Sequence, residues 1–147
     1  MLKTKFDTHA LVKAIGRIII ALLFILAGFD KLMNLEAMFS IMIKKKLVDL
    51  TIATYLTFLF PLIEMILGFM LLAGYRIRLA TCILALMILS ATIVVHDFWN
   101  MKHLVQMLHV QFFLKNLALI GALIYIMADE PDGYSLDFAY RQLPKKK

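Results

Sequence analysis

From Leu50 to Tyr75 the chain carries one formal charge, Glu64, in twenty-six residues. A helix of that length exceeds the hydrocarbon core of a bilayer, about 30 Å thick. Inside lipid every backbone N–H and C=O must find its partner within the protein, so a run of this length with a single charge is consistent with a spanning helix. One such helix does not exhaust the apolar content. Of 147 residues 63% are hydrophobic, more than the core of a water-soluble domain of this size can hide. The solvent for much of the chain is therefore lipid.

Three further segments fit the same solvent. Ile18 to Phe29 is only twelve residues, about 18 Å of helix, and spans by recruiting Leu11 to Gly16 while Arg17 snorkels. Lys3, Lys5 and Lys13 before this short apolar run resemble a signal peptide, but Ile25 and Ala27 do not form a small-x-small cleavage pair and three more apolar segments follow. Leu79 to Val95 is seventeen residues and stops at His96 and Asp97. Leu104 to Ala128 carries His109, Gln111, Lys115 and Asn116 in its first half, so that half must face protein. Between the first two spans, Leu35, Met38, Phe39 and Met42 recur at helical spacing, the pattern of a short amphipathic helix lying on the membrane surface. The expected fold is all-α: an integral membrane four-helix bundle, residues 1–147 forming a single membrane domain. Its spans fall near 11–32, 50–75, 79–96 and 104–128, an interfacial helix joins the first two, and a cytoplasmic tail covers 129–147.

Four crossings place both termini on one side. That side holds ten of the sixteen Lys and Arg residues and the other side six, with Lys44, Lys45 and Lys46 among the six. The excess predicts both termini in the cytoplasm, in keeping with a multi-pass inner-membrane protein. The net charge of +6 comes from residues clustered at the ends of apolar segments, not from a basic stripe with interleaved aromatics, so nucleic acid is not an expected partner. Cys82 is the sole cysteine, which excludes an intrachain disulfide, a Cys-x-x-Cys pair and a thiolate metal cage; a redox role would need a bound cofactor or a partner. His96, Asp97, His103 and His109 gather toward the outer end without metal-ligand spacing, Trp99 beside them reads as an interfacial aromatic, and no metal is expected. The ten methionines read as adaptable packing.

Each span carries one stripe of small or polar residues, the means by which helices pack closely in lipid. On the first span the stripe is Arg17, Ala21, Phe24, Gly28 and Lys31, and on the second Thr57, Pro61, Glu64, Gly68 and Leu71. Cys82, Ala85, Leu89, Thr92 and His96 form the third, and Gln111, Lys115, Ala118, Ala122 and Tyr125 the fourth. Depth then suggests a partner for the glutamate. Counted from the inner edge, Glu64 and Lys115 lie at about 15 and 19 Å, and facing one another they would avoid a cost of about 3 kcal/mol for each isolated charge. A Glu64–Lys115 pair is the expectation, as a ligand or proton site or as a device that fixes helix register. Lys31, next to Asp30, reads as an interfacial anchor.

The strings AGFDKLMN (27–34), PLIEMILGFMLLAGYRIR (61–78), HDFW (96–99), FLKNLALIGALI (113–124) and DGYSLD (132–137) resemble, in that order, the DoxX family. The resemblance implies a four-helix integral membrane protein of bacterial or archaeal type, linked to respiratory or sulfur-redox complexes, since the family takes its name from a subunit of a thiosulfate to quinone oxidoreductase. Its polar positions carry over to Lys31, Glu64, His96, Lys115 and Asn116 as a cofactor-binding set, with a quinone as the cofactor. The chain departs from the family in the first outer connection, where the lysine run stands in place of a Gly-x-Pro turn.

The leading functional expectation is a non-catalytic or accessory membrane subunit, an anchor within a quinone-linked oxidoreductase complex. It would contact the bilayer and redox-complex subunits, and homo-oligomerisation stays open. A small proton-coupled transporter with Glu64 titrating, and a scaffold recruiting a soluble partner through the tail from Asp129 to Lys147, are the alternatives.

Overall fold

The computed structural model describes residues 7–44, 49–95 and 103–143. Among them all regular structure is helical: α1 (Thr8–Met33), α2 (Leu35–Lys44), α3 (Leu50–Ala73), α4 (Ile77–Val95), α5 (His103–Ala128) and α6 (Leu136–Gln142). Four of these, α1, α3, α4 and α5, are long and apolar enough to cross a membrane. The all-α four-helix membrane bundle expected from the sequence is the observed architecture, and α2 is the short helix between the first two spans. Its Leu35, Met38, Phe39 and Met42 are the less exposed side, while Glu36, Ala37, Ile43 and Lys44 point away. Met42 is buried, and the Thr57 hydroxyl of α3 lies 3.9 Å from its sulfur.

Helix ends follow local chemistry. The Asp7 carboxylate accepts from the amides of His9 and Ala10, Asp49 accepts from Ile52 at 2.8 Å, and Ser135 accepts from Phe138 at 3.2 Å, each starting a helix by satisfying orphan donors. α3 stops at Gly74, whose φ of 68° lets the Gly74 and Tyr75 amides fold back onto the carbonyls of Leu71 and Met70.

The bundle is built from two tight pairs, α1 with α3 and α4 with α5, joined mainly through α3 and α4. The α1–α3 crossing is antiparallel and set by two glycines. A Cβ on Gly28 would lie 2.9 Å from the Pro61 carbonyl oxygen, and one on Gly68 would lie 3.3 Å from the carbonyl oxygen of Ala21. Backbones approach this closely only where side chains are missing, which supplies dispersion contact where water cannot drive association. Phe24, Leu67, Leu71, Leu84 and Leu123 fill the shared core.

The faces expected on the first two spans are the buried ones: Arg17, Ala21, Phe24 and Gly28 on α1, and Thr57, Pro61, Glu64, Gly68 and Leu71 on α3. The other two need correction. On α4 the inward residues are Ile77, Ala80, Thr81, Leu84 and Thr92, with Cys82 and Leu89 exposed. On α5 Leu123 is the buried residue, and Gln111, Lys115, Ala118 and Tyr125 are exposed. The physical reason is the low burial of α5. Only 6% of its apolar window is covered within the chain, against 33% for α3, so a single inward stripe did not have to form there.

Candidate functional site

Glu64 is 6% exposed in the middle of α3. Its carboxylate is ion-paired with the ammonium of Lys31, in a contact that is also a direct hydrogen bond. The expected partner, Lys115, makes no ion pair among the described residues; its ammonium stands 5.1 Å from the centre of the Phe112 ring, a cation–π contact on its own helix. Helix direction explains the choice. Every Cα–Cβ bond tilts toward its helix N-terminus, so in antiparallel α1 and α3 the Lys31 side chain leans inward and the Glu64 side chain leans outward, and the two converge. Depth alone places Lys115 level with Glu64, but the glycine crossing gives α3 to α1.

Lys115 nevertheless shares the glutamate's cavity. A space of about 300 Å³ opens between the two helix pairs, with Lys31 and Glu64 on one wall and Lys115 and Asn116 on the other. Phe24, Phe60, Met87, Ile88 and Leu119 supply apolar lining. The Asn116 amide donates to the Thr92 hydroxyl at 2.9 Å, which ties α5 to α4 and fixes the amide's orientation at the cavity edge. Of the five candidate residues, Lys31, Glu64, Lys115 and Asn116 thus meet in one place. His96 lies outside the described residues, as do Asp97 and Trp99. His109 sits edge-on to Phe112, ring centres 6.5 Å apart.

The set comprises two ammonium groups and one carboxylate, so the cavity holds one positive charge in excess. Lys31 satisfies Glu64, which leaves the Lys115 ammonium as the donor free to address an oxygen atom entering the cavity. The size is at the lower end of the roughly 300–1,000 Å³ found for small-molecule sites, and the lining has their mixture of apolar wall and few convergent polar groups.

Sequence reasoning missed a second buried ion pair. Arg17 does not snorkel. It is 3% exposed and forked onto Asp132, Nε to Oδ2 at 2.8 Å and Nη2 to Oδ1 at 3.3 Å. Its Nη1 also donates to the carbonyls of Leu71 and Leu72, at 2.7 and 2.6 Å, the first of which also accepts from the Gly74 amide, so the guanidinium adds to the cap at the end of α3. The segment after α5 therefore folds back onto the bundle. Asp137 continues the docking by accepting from the amides of Arg76 and Ile77, both at 2.8 Å, which caps the start of α4. At the edge, Lys13 holds Asp129 at 2.8 Å, and its hydrogen bond pulls the Asp129 carboxyl below its ordinary pKa. The signal available in the sequence was the Asp-Gly-Tyr-Ser turn at 132–135, followed by a capping serine; what it lacked was any indication of which cation the aspartate would reach.

No curated protein and no solved structure matches the chain. The DoxX family's sequence profile matches residues 12–97, more than half of the chain, from just past the first turn of α1 onward through α4. With four helices long and apolar enough to cross a membrane and that profile running through three of them, the chain belongs to the DoxX family of multi-pass membrane proteins.

Proposed function

We propose that the chain is an accessory or anchoring subunit of a quinone-linked oxidoreductase, and that the cavity between the helix pairs receives the quinone ring. The observation that carries this reading is the donor set. A quinone offers two carbonyl oxygens on a flat apolar ring, and the cavity offers the Lys115 ammonium and the Asn116 amide beside Phe24, Phe60 and Leu119. Lys31 and Glu64 form the floor, neutralising one another and holding a polar surface in place. A bound quinone would supply two-electron redox chemistry, with the oxidoreductase partner providing the other redox centre. The residues of this chain would position the ring and compensate charge on its oxygens. His96 joins the proposed set from the family resemblance.

Ten basic residues on the terminal side support an inner-membrane orientation with both termini in the cytoplasm. The folded-back segment from Asp129 to Gln142 engages its carboxylates with the bundle itself, which favours the anchoring role over recruitment by a free tail.

The test is a titration of a short-chain benzoquinone into the full chain in lipid nanodiscs. Saturable binding is expected, weakened about tenfold or more by Lys115→Met, as loss of a charged hydrogen-bond donor implies. Absence of saturable binding, or equal affinity in the variant, would remove the quinone reading.

A further inference from the structure

A second cleft, about 610 Å³, lies at the end of the bundle that carries the termini, between α1, the start of α4, the end of α5 and the folded-back segment. Its lower wall is apolar: Val12, Ile20, Leu79, Ala122, Tyr125 and Ile126. Val12, Leu79 and Tyr125 are 63%, 46% and 73% exposed on membrane-crossing helices, so this wall runs without a break into the lipid-facing surface. Its upper rim is charged and sits where α4 begins and α5 ends, the level of lipid headgroups.

The rim charges do not balance. Five cations face four carboxylates. Lys13 is matched by Asp129 and Arg17 by Asp132. Arg78 and Arg141 share Glu130. Asp137 gives both oxygens to backbone amides, and the Arg76 guanidinium has no ion pair among the described residues, lying only 5.7 Å from the Tyr75 ring centre. One positive charge is left over, concentrated at Arg76 and the Arg78–Arg141 pair. The start of α4 is not the attracting feature, since Asp137 already occupies its amides.

We propose that this cleft binds an anionic phospholipid drawn sideways from the leaflet facing the termini. The phosphodiester, with its single negative charge, meets Arg76 and the Arg78–Arg141 pair, and an acyl chain lies along Val12, Ile20 and Tyr125. A zwitterionic headgroup brings its own cation into the same rim and loses the advantage. The bound lipid completes the charge balance of the surface on which the C-terminal segment is docked. This site is separate from the cavity around Glu64 and does not depend on the quinone reading.

The experiment measures lipid retention by the full chain, extracted in a zwitterionic detergent, using native mass spectrometry with equimolar phosphatidylglycerol and phosphatidylcholine. Two variants separate head from tail. Arg76 has a φ of 47°, a conformation that asparagine tolerates, so Arg76→Asn removes the charge without changing the turn. Gly16 lines the cleft, and a Cβ there would meet nothing within 4 Å, so Gly16→Leu fills the tail groove without disturbing the bundle. Wild type should retain phosphatidylglycerol about tenfold over phosphatidylcholine. Arg76→Asn should bring that ratio within about twofold, and Gly16→Leu should lose the tightly held lipid altogether while leaving the helical circular dichroism unchanged. Glycerol phosphate should not displace the lipid at equal concentration. Equal retention of the two lipids by wild type, a wild-type ratio in either variant, or displacement by glycerol phosphate would overturn the proposal, the last by showing a site for a soluble anion.

Discussion

Replacing Asp132 by alanine probes the buried node that holds the C-terminal segment. Arg17 is 3% exposed and its guanidinium makes four hydrogen bonds, two of them to this carboxylate. After Asp132→Ala the carbonyls of Leu71 and Leu72 still accept, but the positive charge stays buried with no counter-charge. Removing one member of such a pair costs about 3–5 kcal/mol, whereas an exposed pair is worth about 0.2–1 kcal/mol. The Tyr134 amide also loses its acceptor at 3.0 Å, which loosens the turn before α6. Asp132→Asn keeps an acceptor and should fall at the lower end of the range. The assay is denaturation in mixed micelles followed by circular dichroism, paired with limited proteolysis after Ala128, since the free energy can be lost by undocking the segment or by unfolding the bundle. The double variant Arg17→Met with Asp132→Leu should be less destabilised than Asp132→Ala alone, because it leaves no orphaned charge. A cost below about 1 kcal/mol for Asp132→Ala with no faster cleavage, or a double variant at least as destabilised as Asp132→Ala, would show that the guanidinium does not depend on this carboxylate.

The Lys31–Glu64 pair predicts an asymmetry. The Lys31 side chain is 35% exposed and can swing toward the interface, whereas the Glu64 side chain is 8% exposed, so Lys31→Met should destabilise more than Glu64→Gln, by an amount approaching about 3 kcal/mol, in the same micelle titration. Gly28→Ala should cost about 1–3 kcal/mol by forcing α1 from the Pro61 carbonyl, while Gly121→Ala, whose new Cβ meets nothing within 4 Å, should be neutral or slightly stabilising; reversal of that order would mean the α1–α3 crossing is misplaced. The Asp129 carboxyl has a lowered pKa because Lys13 donates to it, so this contact stabilises the docked segment fully above the ordinary carboxylate range and is lost as pH falls through the lowered value. The hydrogen-exchange protection of residues 129–143, taken relative to the intrinsic exchange rate at each pH, should therefore fall on acidification, and Lys13→Met should flatten that component of the pH profile.

The two inner helices were legible because each carries a costly residue that must be hidden. Arg17 on α1 and Glu64 on α3 mark a stripe whose other members are small, and a stripe of that kind has one reading in lipid. α4 and α5 lack this constraint: α4 has no charge between Arg78 and its end, and α5 packs chiefly on α4, so hydropathy leaves their rotation open. The partner of Glu64 was misread for a different reason. Residue counting gives depth, and Lys115 does sit at the right depth, but it gives neither the neighbour across the crossing nor the lean of a side chain toward its helix N-terminus. Lys31, read as an interfacial anchor, reaches Glu64 because both effects act together. Asp132 was hidden by distance along the chain, 115 residues from Arg17, with no local pattern linking the two.

A small apolar ring with carbonyl oxygens is the proposed occupant of the cavity between the helix pairs. A photoactivatable quinone, cross-linked to the full chain in nanodiscs and mapped by mass spectrometry, addresses it directly. Labels confined to residues lining that space, on α5 around Lys115 to Leu119 and on α1 around Leu23 to Ala27, and competed away by unmodified quinone, are the predicted result. Labels scattered over the lipid-facing sides of the helices, or undiminished by competitor, would contradict it.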